Sequence, residues 1–183
     1  TATPPTPRPR GGGGRGGGGG RRAALRYVWD NAAALGIDRA RLAVGGDSAG
    51  GALAAACTQW ARDCTDIRLC FQLLVYPVTD SRMQTGSIRR GRDTPCWNAS
   101  LNRRMWQIYL REGDGGHPAW AAPMLADRFD GLPPAYLEVE QFDCLHDEGL
   151  AYADALEGAG VPVQRQEVAG TVHGFDVFRD API

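Results

Sequence analysis

Residues 41–56 read RLAVGGDSAGGALAAA, and within them Gly46, Asp47, Ser48, Ala49 and Gly50 fit the pattern G-x-S-x-G. The preceding Leu42, Ala43 and Val44 form a short apolar run of strand length, and residues 49–60 are rich in Ala and Leu and read as a helix. Strand, tight glycine-flanked turn and helix together predict a nucleophile elbow. Ser48 must then sit on a strained turn, with its hydroxyl projecting from the strand end. Gly46 and Gly50 are expected because side chains there would collide across that turn. The helix beginning at Ala49 offers backbone N–H groups to a developing oxyanion, with the Ala49 N–H first in place. An ordinary glycine-rich loop is the competing interpretation of the pentapeptide.

Outward from this stretch the elements alternate. Residues 24–35 are helical and end at Gly36, which suits the left-handed C-terminal position. Strands are expected at 41–44, 69–75, 135–139 and 161–168, with a helix at about 147–158. A longer insertion spans about 81–123 and holds a helix at 100–110, with Ser100 as a possible cap and Leu101, Met105, Ile108 and Tyr109 at helical spacing. Such alternation argues for an α/β fold with a mostly parallel sheet and helices on both faces, its site at the C-terminal strand ends.

The chain has 183 residues, the size of one domain, and its 43% hydrophobic content suffices for a core. A net charge of −1 gives no bias towards nucleic acid or anionic membrane. No apolar run approaches the roughly 20 residues of a membrane span, and the first ten residues lack the apolar centre of a secretory signal. Cys57, Cys64, Cys70, Cys96 and Cys144 are odd in number and lack C-x-x-C spacing. They are expected to be buried thiols of a cytoplasmic protein rather than metal ligands or a disulfide framework. All 20 basic residues are Arg, which fits a GC-rich coding sequence.

Residues 1–22 differ from the rest, being Pro- and Arg-rich and then nearly pure glycine. With so little apolar surface they are expected to be disordered. An Arg/Gly arm for single-stranded nucleic acid is one function for them, although no aromatic residue is present to stack a base. A frame-shifted translation of GC-rich DNA is another origin. The partial domain proper is taken as residues 23–183.

A serine hydroxyl needs a base within hydrogen-bond reach. Of three histidines, His173 lies in a glycine-bounded loop just past the last strand and is the candidate. His146 sits near a helix start and His117 in a turn of the insertion. A carboxylate must orient the imidazole. Asp143 follows the third strand by four residues, on the same sheet edge, with Asp147 as second choice. Glu138 and Glu140 are expected to point elsewhere, and Asp147 and Glu148 look like first-turn helix acids. The order Ser48, Asp143, His173 is that of α/β hydrolases.

On these residues the chain resembles the hormone-sensitive-lipase-like esterases of the α/β-hydrolase superfamily. The resemblance is carried by GDSAGG at 46–51 and by Tyr76-Pro77 followed by Asp80. It continues through Glu140-Gln141-Phe142-Asp143 with Leu145 and Asp147, Tyr152-Ala153 with Leu156, and His173-Gly174-Phe175. It runs from about residue 23 to 178 and implies a three-layer fold, hydrolysis of small-molecule carboxylic esters of short to medium acyl chain, and neither metal nor organic cofactor. It also implies that Trp97, Met105, Trp106 and Tyr109, within the cap-like insertion, are pocket candidates; ordinary core packing is their alternative.

The family's HGG motif, which supplies most of the oxyanion hole, has no counterpart here. The resemblance therefore implies a chain truncated on its N-terminal side, with an apolar sheet edge left open. Two further readings follow: an inactive hydrolase fragment with its three site residues intact, and a nucleic-acid binder acting through the Arg/Gly arm.

Overall fold

The computed structural model describes residues 18–177. The Arg/Gly arm therefore falls mostly outside the described residues. Helix α1 spans Gly18–Asp30, so residues 18–22, assigned from sequence to the low-complexity segment, are helical. Their arginines explain this: Arg21 donates to the Trp120 carbonyl at 2.6 Å, and the Arg22 guanidinium lies 4.9 Å from the centre of the Trp120 ring. After Asp30 the chain continues in turns to Gly36, at φ +68°. There Gly36 N–H bonds to Ala33 O and Ile37 N–H to Ala32 O, the paired bonds of a Schellman stop.

Strand β1 is Ala43–Asp47, helix α2 Ala49–Cys64 and strand β2 Phe71–Val75. The insertion then folds as short helices α3 (Gly86–Arg90), α4 (Ala99–Tyr109) and α5 (Pro118–Ala121). Strand β3 (Ala135–Glu140), helix α6 (His146–Gly158) and strand β4 (Val163–Val168) complete the order. The four strands pair in parallel in the order β1-β2-β3-β4. The cap of α4 is Asn98 rather than Ser100: the Asn98 side chain accepts from Leu101 N–H at 3.1 Å, and Ser100 is already the second residue of the helix.

Strand alternation decides what is covered. Leu74, Leu137 and Val139 point to one face, where Ala54 and Ala55 of α2 and Tyr152, Ala153 and Leu156 of α6 seal them. Leu73 and its register partners Gly45 and Tyr136 point the other way, and Leu73 is 42% exposed. Among the described residues the sheet is thus layered with helices on one face, where the sequence reading expected both. β1 has one paired edge. Cys57 and Cys144 are buried, but Cys64, Cys70 and Cys96 are exposed, contrary to the expectation of five buried thiols. They lie on a helix end and in connecting loops, outside the apolar faces.

The turn between β1 and α2 is the tightest point of the fold. Ser48 has φ +54° and ψ −119°, a conformation that side chains rarely adopt. Its N–H donates to Val75 O at 2.9 Å, and its carbonyl accepts from Ala52 N–H at 3.2 Å and Val78 N–H at 3.3 Å. A Cβ on Gly46 would lie 2.5 Å from the backbone carbon of Gly50, whereas a Cβ on Gly50 would meet only Asp47 Oδ1, at 3.7 Å. Glycine is therefore demanded at 46 and not at 50, because the backbone of residue 50 is the obstacle. Gly46→Ala is expected to destabilise the fold by about 3 kcal/mol, whereas Gly50→Ala, on a helix with room for its β-carbon, is expected to be neutral or to stabilise it by up to about 1 kcal/mol. Urea denaturation of the two variants checks this.

Candidate active site

The parallel register brings the C-terminal ends of β1, β2, β3 and β4 to one edge, and the loops leaving them carry the candidate residues. Ser48 follows β1 directly. Asp143 lies three residues beyond β3, in a turn closed by its own N–H on Glu140 O at 3.0 Å. His173 follows β4 in a loop with left-handed glycines at 170 (φ +77°) and 174 (φ +69°).

These three side chains form one hydrogen-bonded line. Ser48 Oγ is 2.8 Å from His173 Nε2, and His173 Nδ1 is 2.6 Å from Asp143 Oδ2. The carboxylate can only accept, so Nδ1 carries the proton and Nε2 presents its lone pair to the serine hydroxyl. Asp143 is 3% exposed, and its other oxygen accepts from Leu145 N–H at 2.9 Å, which fixes the carboxylate plane. His173 is also buried. Ala49 is the first residue of α2, and its N–H belongs to the helix-terminal donors that lack an intrahelical acceptor.

The remaining candidates separate clearly. Asp147 bonds His146 Nδ1 at 2.8 Å and Ser87 N–H at 2.7 Å, in the first turn of α6. His117 stacks on Trp120 with ring centres 3.7 Å apart. Trp97 lies beside the imidazole, with ring centres 6.1 Å apart. Trp106 is buried in an apolar cluster with Val78, Ile88 and Leu145, and Met105 and Tyr109 pack against that cluster. Trp106 also lines a surface groove of about 450 Å³ with Arg82, Arg103 and Gln107. Among the described residues, no group of three or more His, Cys, Asp or Glu side chains is arranged to hold a metal ion.

A family described as having the alpha/beta hydrolase fold matches residues 21–177. The chain belongs to the hormone-sensitive-lipase-like esterase family of the α/β-hydrolase superfamily. It is 40% identical over 160 residues to carboxylesterase NlhH of Mycobacterium tuberculosis, covering 85% of this chain and 50% of the relative. It is 38% identical to an ethyl acetate hydrolase of Pseudomonas putida over 156 residues, covering 83% of this chain and 48% of that one. The solved structure of a bacterial heroin esterase superposes with a TM-score of 0.79 at 42% identity, covering 84% of this chain and 50% of that one. The chain thus spans about half the length of the curated relatives it matches.

Two buried carboxyls near the site escaped the sequence reading. Glu148, read as a first-turn helix acid, does stand in the first turn of α6, but it is buried and accepts from Thr79 N–H at 2.7 Å and Asp80 N–H at 3.2 Å, stapling the loop after β2 to α6. Glu140, expected to point elsewhere, is fully buried, and neither carboxyl oxygen finds a hydrogen-bond partner among the described residues. Alternation placed it on a sheet face but did not reveal that the strand end would be buried there. Burial, reinforced by Asp143, Glu138 and Asp176, pushes Glu140 from an ordinary 4.5 up to about 8.

The folded protein therefore holds a proton on Glu140 that the unfolded chain releases. The stabilising contribution of that proton is full below the unfolded value near 4.5 and is lost as pH rises through about 8. Glu140→Gln keeps the shape and removes the titration. It is expected to flatten the fall in unfolding free energy between pH 5 and pH 8 by roughly 4 kcal/mol at most. Urea denaturation across that range reads the difference.

Proposed function

We propose that this chain carries the nucleophile, acid and base of a serine hydrolase that cleaves carboxylic esters of short to medium acyl chain. The observation behind the reading is the line from Ser48 Oγ through His173 to Asp143, at 2.8 and 2.6 Å, beginning on a strained elbow. His173 Nε2 takes the hydroxyl proton as Ser48 Oγ attacks the ester carbonyl, and the carbonyl oxygen becomes an oxyanion facing the Ala49 N–H. The tetrahedral species collapses, the C–O bond to the alcohol breaks, and the imidazolium returns its proton to the leaving oxygen. Water, deprotonated by His173, then attacks the acyl carbon and frees Ser48. Asp143 keeps the imidazole in the productive tautomer and stabilises its charged form.

Two features support the ester class. Relatives named carboxylesterase and ethyl acetate hydrolase are 40% and 38% identical to the chain. Trp97 beside His173 gives a leaving group or acyl chain an apolar wall. Among the described residues the Ala49 N–H is the donor assigned to the oxyanion, and loss of one such donor costs about a hundredfold or more. Low turnover by the 183-residue chain is consistent with the proposal, and zero reactivity of Ser48 is not.

Ser48→Ala is expected to abolish hydrolysis of a short-chain aryl ester. Asp143→Asn should lower kcat by about ten-thousandfold by stabilising the wrong tautomer, whereas Asp147→Asn should change it by less than about threefold. Steady-state kinetics of the three variants checks the assignment. Equal losses from the two Asn variants would contradict it.

A further inference from the structure

The loop bearing His173 is held differently on its two sides. Upstream, Phe142 N–H bonds Thr171 O at 3.0 Å, Gly170 N–H bonds Gln141 Oε1 at 2.8 Å, and Thr171 Oγ1 bonds Val168 O at 2.7 Å. Downstream, residues 174–177 bond within the loop, Phe175 N–H to Val172 O across His173 and Val177 N–H to Gly174 O. Among the described residues, one hydrogen bond ties this arm to another element. Tyr76 Oη donates to Asp176 Oδ1 at 2.8 Å.

Tyr76 is an unusual residue to find there. It sits just past β2 at φ +34°, in the left-handed region that a β-carbon disfavours. Its N–H is fixed on Glu138 O at 2.8 Å, and its ring is 3% exposed. The ring centre lies 4.7 Å from that of His173, so the tyrosine packs on the imidazole while its hydroxyl reaches the loop three residues further on. Strain of this kind persists where the surroundings enforce it, and it clusters at sites of function.

We propose that Tyr76 and Asp176 form a latch that positions His173, fixing the downstream arm of its loop so that Nε2 stays on Ser48 Oγ. They are positioning residues, acting through the imidazole; the proposal rests on the reading of His173 as the general base. A merely structural bond would behave differently. Asp176 is exposed, so a carboxylate released by Tyr76→Phe is rehydrated and little stability is lost. What is lost is the alignment of a base that must stay within hydrogen-bond reach of its proton.

The test uses the 183-residue chain and two readouts. The first is the low-field proton resonance of His173 Nδ1–H, bonded to Asp143, and its exchange rate with water. The second is turnover of a short aryl ester. In Tyr76→Phe and in Asp176→Ala, exchange should quicken and kcat should fall, each by about tenfold, with KM within about twofold. Asp176→Asn keeps an acceptor for the phenol and should stay near the parent values. The double variant Tyr76→Phe/Asp176→Ala should be no worse than either single one. Unchanged exchange and kcat in both single variants, or fully additive losses, would overturn the latch. If the parent chain shows the resonance but turns over no ester, the hydrolase reading falls, and the exchange rates alone decide the latch.

Discussion

Ser48 stays at φ +54° because its backbone is gripped from two directions. Its N–H is committed to Val75 O and its carbonyl to the first turn of α2 and to Val78 N–H, while Gly46 lets the backbone of Gly50 approach closer than any β-carbon allows. Relaxing the turn would break the join of β1 to β2 and unseat α2, whose alanines cover Leu74 and Leu137. A short strain is thus held by the burial of a whole helix. The serine hydroxyl cannot drift from the sheet edge where His173 arrives.

Electrostatics around that edge is one-sided. Asp143, Glu138, Glu140 and Asp176 crowd the ends of β3 and the loop after β4, and Glu140, whose carboxyl finds no hydrogen-bond partner among the described residues, is pushed up to about 8. Asp143 is kept in its accepting role by the Leu145 N–H and the imidazole N–H. Two carboxyls three residues apart thus sit in different surroundings: among the described residues Asp143 has donors to face and Glu140 has none.

The fold was legible because its signals were local. The glycine-flanked serine, the Leu-rich β2 and the alternation in β3 each specify an element without knowledge of its neighbours, and the three candidate residues fall on one edge by parallel topology alone. One misreading was local: Asn98, not Ser100, stands at the cap position of α4. The others came from long-range effects. The helicity of residues 18–22 depends on Trp120, about a hundred residues away. The burial of Glu140 and Glu148 is set by what lands on them, and the Tyr76–Asp176 bond joins residues one hundred apart. For Tyr76 a faint signal existed in the Tyr-Pro pair after the strand, but nothing in the sequence said that its hydroxyl would find the loop of the histidine.

The central claim is that Ser48 forms a covalent acyl intermediate with esters. Mixing the 183-residue chain with an activated acetyl aryl ester, quenching in acid and mapping the peptides by mass spectrometry tests it directly. One added acetyl group is expected, on the peptide containing Ser48. An unmodified Ser48 with ester consumed, or acetyl carried elsewhere in the chain, would contradict it.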